Sequence, residues 1–494
     1  MIGRNTSRTS DCIGPRTSDW RRPAGRVVAV AIALVLVAAG GPGYAQAPSG
    51  KGLPLIRDAE IEQLLREYTA PILRAAGLAK QNIQVVIIND RAFNAFVADG
   101  RRIFVNVGAL LESQTPNQII GVLAHESGHI AGGHLSRMRQ EIANAQTAAV
   151  IAMLLGVGAL VAGASAGAGS GMAQAGAAAV MAPQSMIQRT LLSYARAQEE
   201  QADRAGVKFL NATGQSSKGM YDTFKRFADQ TMFSSRYIDP YLQSHPLPVE
   251  RVRALEGLAK SSPYWEKRDS AETQLRHDLM RAKVSGYLER PETVANRYPL
   301  RDTSLPARYA RAVAAYRHSD IRSAVVQIDA LIEQHPDNPY FHELKGQALL
   351  EGGRPAEAVA PLRRAIAMAP NGDLMRVMLA QALLASSDTR QADDAISLLR
   401  GVIMRDSDMV EAYRHLAVAY GRKGDLPQAD LASAQAAFTS GDFATARGLA
   451  GRAKGRFPTG SPGWVKADDI ASYKPPNAGK LLGRPGGFTP ARDQ

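Results

Sequence analysis

Pro336 and Pro370 stand 34 residues apart, and the residues between them recur at the intervals of a two-helix unit. With Pro339 as position 1, Gly346 falls at position 8, Ala358 at 20 and Ala365 at 27, where paired helices must approach closely. Leu349 at 11 and Leu362 at 24 fill the space between them. The preceding unit places Ala312, Ala324, Ile328 and Pro336 in the same frame. The following ones place Ala380 and Leu383, then Tyr413, Ala417, Tyr420 and Ala429. The third unit carries about three extra residues around Ser386 to Gln391, assigned to its inter-helix turn. Such a unit cannot bury its apolar face alone, so a run of them folds as a stack.

This is the tetratricopeptide period, and it predicts an all-α solenoid over 305–457 of four repeats, with Phe438 to Phe457 as a partial or capping unit. An ordinary helical bundle with accidental periodicity is the bland alternative. The tail, 458–494, is rich in Pro and Gly and is expected to be extended or disordered.

Upstream the pattern changes. After a linker at 46–55, Ile61, Leu64, Leu65, Tyr68, Ile72 and Leu73 follow helical spacing, with Asp58 as N-cap, Gly77 as stop and Pro71 as a site for a kink. Ile83 to Ile88 is a β-branched run, and Ala95 to Ala98 and Arg102 to Val107 flank the turn dipeptide Asp99-Gly100, which predicts a small sheet with a hairpin. Helix returns from Gln118 to Met138. The expected class is therefore an α+β domain over 56–265, mainly helical with a small sheet, then a connecting helical segment at 266–304 and the solenoid. No charge occurs between Glu141 and Arg189, and residues 144–185 are read as a lid at the site, a packed hairpin or a membrane-inserting segment.

The first 26 residues hold six arginines and two aspartates; the apolar run Val27 to Ala39 and the small-residue site Gly43-Tyr44-Ala45 follow. That order predicts a signal peptide over 1–45 and export of the chain, a retained anchor being the other reading. Its removal lowers the net charge from +13 to about +9. The remaining basicity is spread out, with no Lys/Arg block among aromatics, so nucleic acid is not an expected partner; a solvated basic surface is the first reading of the charge, and peripheral contact with anionic lipid head groups is the other. Cys12 is the single cysteine, so any metal must be held by His and carboxylate.

His125-Glu126-Ser127-Gly128-His129 supplies such donors. On a helix His125 and His129 differ by about 40° and project from one face, able to share one zinc ion, while Glu126 is the residue type that takes a proton from water and returns it to a leaving amine. The apolar flanks Ile119, Ile120, Val122, Leu123 and Ile130 would bury the helix. A three-histidine site needs histidine at 135, where Leu135 stands; His134 counts about 140° round from His129 and reads as a surface or helix-end residue. A distant carboxylate is needed. Glu199 and Asp203 share a helix face, so one can bind metal while the other orients a ligating imidazole, whereas Glu200 points about 100° away and reads as solvated or salt-bridged, with an alternative ligand assignment as the other reading.

Taken with Asn94-Ala95-Phe96, Ile103-Phe104-Val105 and Glu199-Glu200-Gln201-Ala202-Asp203-Arg204, the motif resembles the gluzincin metallopeptidases of the HtpX and CAAX-prenyl-protease group. The likeness covers nearly all of 56–450, by motif in the first part and by architecture in the repeats. Gln201 departs from the acidic residue often found there, which weakens the carry-over slightly but leaves Glu199 as the expected ligand. The resemblance implies catalytic Glu126, one zinc ion on His125, His129 and Glu199, His245 of Ser244-His245-Pro246-Leu247-Pro248 as a regulatory fourth ligand, and Asp203 and Arg251 beside the site. A loop histidine without metal contact is the alternative for His245. The resemblance also implies an edge strand at Arg102, Ile103, Phe104 and Val105 on which an extended substrate adds by backbone pairing.

The reading that follows is a periplasmic zinc endopeptidase acting on misfolded or stalled outer-membrane proteins, with repeats that dock clients or the outer-membrane assembly machinery. A chaperone or adaptor whose zinc site is kept plugged is the second reading. An integral-membrane peptidase is a third, for which one signal-like segment and one weak apolar stretch do not supply the spans.

Overall fold

The computed structural model describes residues 54–144, 147, 193–233, 241, 245–386 and 391–474. The signal peptide, the bulk of the uncharged stretch and the end of the tail lie outside these residues.

Strand β1 (Leu55–Ile56) leads into helix α1 (Ala59–Ala75), capped by Asp58, whose carboxylate accepts from Ile61 N at 2.9 Å. Gly77 adopts φ +73° just past its end, a left-handed turn that suits glycine. Strands β2 (Gln84–Ile88), β3 (Ala95–Val97) and β4 (Arg102–Asn106) follow. The four-stranded sheet has the order β1-β2-β4-β3, with β2 parallel to β4 and the other pairs antiparallel. Asp99 closes the β3–β4 hairpin by accepting from the backbone N–H of Arg101 and Arg102, both at 3.0 Å.

One expectation fails here. Arg102, Ile103, Phe104 and Val105 do not form an edge: the hairpin seats β3 on one side of β4, while β2 takes the other in the register Val86↔Phe104. Both rows of backbone groups on β4 are consumed, and Ile103, Phe104 and Val105 are buried. The sheet's edges are β1 and β3.

Helix α2 (Val107–Glu112) joins the sheet to α3 (Pro116–Ala131), which opens with a Thr115/Gln118 capping box. The chain turns at Gly132-Gly133 and is helical again as α4 over 134–144, so the single helix expected from Gln118 to Met138 is two. Helix α5 spans 193–212; α6 (Lys218–Phe233), α7 (Val249–Lys260), α8 (Ala271–Leu288) and α9 (Pro291–Arg297) complete this part. Leu64, Leu65 and Ile72 of α1, Ile87, Ile103 and Val105 of the sheet, and Ile119, Val122 and Leu123 of α3 share one core, each such side chain contributing roughly 1.5–3 kcal/mol by its burial. That core holds α3 rigid.

Five helix pairs follow: α10 (Leu305–His318) with α11 (Ile321–Gln334), α12 (Pro339–Glu351) with α13 (Pro355–Met368), α14 (Asp373–Ala385) with α15 (Gln391–Arg405), α16 (Val410–Arg422) with α17 (Leu426–Thr439), and α18 (Phe443–Arg456) with α19 (Pro462–Ser472). Small residues lie where the period put them: a Cβ on Gly346 would sit 2.4 Å from Leu362 Cγ, and Ala358 and Ala365 are fully buried. The extra residues of the third unit fall between α14 and α15. The start of the tail is not extended, because Ser461 caps α19 through Trp464 N and Ala467 packs with Leu431 and Ala453.

Lys283 of α8 is buried where the two parts meet, with Asp58 at 2.8 Å, Glu60 at 3.3 Å and Glu343 of α12 at 3.4 Å.

Candidate metal centre and active site

Helix α3 delivers His125 and His129 one turn apart, with His125 and Glu126 fully buried. Gly128 lies between them on the side that meets α5. A Cβ there would lie 2.8 Å from the carbonyl oxygen of Ala202, so only glycine lets the two backbones come this close. The crossing puts Glu199, one turn before Ala202, opposite the two imidazoles.

His125 Nε2 lies 3.0 Å from His129 Nε2 and 3.3 Å from Glu199 Oε2, and His129 Nε2 lies 3.4 Å from Glu199 Oε1. His245 enters ahead of α7, its Nδ1 3.1 Å from both Glu199 oxygens and 3.4 Å from His125 Nε2. One donor atom from each of the four residues lies within 4.8 Å of all the others. Donors about 2.0–2.1 Å from a tetrahedral zinc ion stand about 3.3 Å apart, so these separations fit such an ion.

The protonation pattern asks for a cation as well. His125 Nδ1 lies 2.9 Å from Asp203 Oδ1, a carboxylate that favours a proton on Nδ1, and the Nε2 of His125 faces the site. Burial pushes His129 down to about 3, so its imidazole is neutral. Two imidazole Nε2 atoms and a carboxylate thus converge. Burial opposes charge on His125, but Asp203 and Glu199 outweigh it and raise that group to about 9, a demand for positive charge that a metal ion meets as well as a proton does. Burial likewise pushes Glu199 upward, yet His245, His125 and His129 hold it well below the usual carboxylate range.

Arg251 of α7 secures the carboxylates. Its Nε and Nη2 donate to the two oxygens of Asp203 at 2.7 and 2.8 Å, and its Nη1 lies 2.9 Å from both Glu199 Oε2 and the carbonyl of Pro246. One guanidinium thereby ties the His245 segment to α5. Glu126 differs from these groups: neither carboxylate oxygen accepts a hydrogen bond from the described residues, and His245 Nε2 lies 3.4 Å away. Burial raises its pKa against the pull of His245 and His125, which suits a group that must gain and release a proton.

Residues 56–259 match peptidase family M48, and residues 309–373 match a tetratricopeptide repeat. The chain carries an M48 peptidase domain followed by tetratricopeptide repeats. The chain is similar to a beta-barrel assembly-enhancing protease of Yersinia pestis, 25% identical over 413 residues that cover 83% of this chain and 82% of that protein. The protease of the same name from Escherichia coli strain K12 is 23% identical over 424 residues, again covering 83% and 82%. A putative one from Vibrio cholerae is 28% identical over 210 residues, 42% of this chain and 41% of that protein.

Within this M48 domain His125, Glu126, His129, Glu199, Asp203, His245 and Arg251 all gather at one place, while Arg102 to Val105 lie in the sheet as its inner strand. Glu200 is exposed. His134 stands at a helix end, as the first residue of α4, but not at the surface. It is 3% exposed, with its Nδ1 3.0 Å from His129 Nδ1. Counting 100° per residue assumes one continuous helix, and Gly132-Gly133 ends it. Two glycines after an apolar helix were the signal for that break.

Proposed function

We propose that this chain is a periplasmic, zinc-dependent endopeptidase that degrades misfolded or stalled outer-membrane proteins, its repeats docking clients or the assembly machinery. The observation that carries the reading is the four-residue donor set beside a buried carboxylate that accepts no hydrogen bond from the described residues. In this reading His125, His129 and Glu199 hold one zinc ion, which supplies Lewis acidity toward the scissile carbonyl. Glu126 takes the proton of the attacking water and returns it to the leaving amine. Asp203 fixes the tautomer of His125, and Arg251 keeps both carboxylates in place.

The strand on which an extended substrate adds is β3, not β4, since β3 is the sheet edge that packs beside α3. Residues 1–45 serve as the export signal and 46–55 as a linker; 56–265 form the peptidase, 266–304 the connection and the pairs from 305 onward the docking arm. The spread basic charge lets the exported chain touch anionic lipid peripherally.

His245 supports a second reading, a chaperone or adaptor whose site is normally plugged, because its Nδ1 lies 3.1 Å from both Glu199 oxygens, within reach of the same ion. Glu126→Gln in the full chain separates the two. Loss of client proteolysis together with loss of assembly support favours the peptidase, whereas loss of proteolysis with assembly intact favours the adaptor. Unaltered proteolysis in that variant, with contaminants excluded, overturns the mechanism. Metal analysis of the purified chain tests zinc directly.

A further inference from the structure

We propose that His134 is a positioning residue for the metal centre, its ring folded back over Gly132 to accept the Nδ1 proton of His129 and so keep the Nε2 lone pair aimed at the metal. This rests on the metal-binding reading above.

Three observations converge on it. His129 can present Nε2 to a metal only if its proton sits on Nδ1, and the atom facing that proton is His134 Nδ1 at 3.0 Å. His134 then carries its own proton on Nε2, which lies 3.3 Å from Gln201 Oε1, an amide oxygen able to accept it. The backbone beneath is pinned by Gln198 Nε2, which donates to the carbonyl of His134 at 3.2 Å. Gln198 and Gln201 flank Glu199, so one turn of α5 supplies both a metal ligand and the support that orients another.

The chain path is shaped to this contact. Gly133 turns at φ +62°, and a Cβ on Gly132 would fall 2.2 Å from His134 Nε2 and 2.6 Å from its Cδ2. The His134 ring therefore occupies the space that any other residue at 132 would fill. Gly132 itself has φ −72° and ψ −13°, helical angles that alanine adopts readily. Gly132→Ala is thus a probe that displaces the ring and touches no ligand.

The test measures zinc affinity of the full-length chain by competition with a chelating indicator, and the ligand-field spectrum with Co2+ in its place. Removing an outer partner of a ligating histidine typically weakens metal binding 10–100-fold. His134→Leu and Gly132→Ala should each lower affinity by about that factor and alter the Co2+ spectrum. His134→Asn should recover most of the loss, because its Oδ1 can stand where Nδ1 stands and accept the same proton. Wild-type affinity in His134→Leu and Gly132→Ala overturns the proposal, as does a loss in His134→Asn equal to that in His134→Leu. A wild-type chain that takes up no metal overturns the metal-binding reading itself, a result distinct from either.

Discussion

Gly128 of α3 lies against the carbonyl of Ala202 on α5, so close that a methyl group on it would stand 2.8 Å from the oxygen. This crossing sets the distance between the two histidines and Glu199. Gly128→Val should force the helices apart at a cost of about 1–3 kcal/mol and lower metal occupancy and peptide hydrolysis together. Metal content and denaturant midpoints of the purified variant check it, and a variant with full metal content would contradict it.

Arg251→Ala removes the partner of two buried carboxylates, Asp203 and Glu199. Breaking a buried ion pair from one side costs about 3–5 kcal/mol, so the variant should be markedly less stable and inactive. Arg251→Lys should fall between, since lysine cannot offer the two parallel contacts that Asp203 receives. Chemical denaturation of the three proteins gives the order.

Lys283 neutralises a pocket closed by residues from both parts of the fold, Asp58 and Glu60 from the α1 region and Glu343 from α12. Burial raises Glu343 to about 7 despite the pull of Lys283. Lys283→Met leaves three carboxyl groups facing one another, and a loss of about 3–5 kcal/mol is expected. Protease protection of the repeats should fall in parallel, and unchanged protection would show that this contact does not couple the two parts.

His277 is fully buried; its Nε2 donates to the Ser113 carbonyl at 2.7 Å, and Nδ1 faces Tyr68 Oη at 3.4 Å. Burial pushes its pKa down to about 4, against the opposing effect of the Ser113 contact. The unfolded chain protonates this residue near 6.5, so stability declines as pH falls from about 6.5 to about 4 and levels off below that, where both states carry the proton. The full loss is about 3 kcal/mol. His277→Gln should remove this limb, and stability measured from pH 7 to pH 4 should show the gap between wild type and variant narrowing.

Local sequence determined the elements and the chemistry. The 34-residue period placed Gly346, Ala358, Leu362 and Ala365 in their helix contacts, because a repeat has only its neighbours to pack on. The five residues from His125 to His129 named a helix face able to bind metal, because geometry within one turn is set by the backbone alone. Where Glu199 meets that face, which strand of the hairpin is the sheet edge, and that His134 turns inward were decided by tertiary structure. Each depends on segments far apart in the chain: on Gly128 admitting α5, on β2 claiming the outer side of β4, and on Gly132-Gly133 releasing His134 from the helix that precedes it. Periodicity measures angles along one element and is blind to what a neighbouring element occupies.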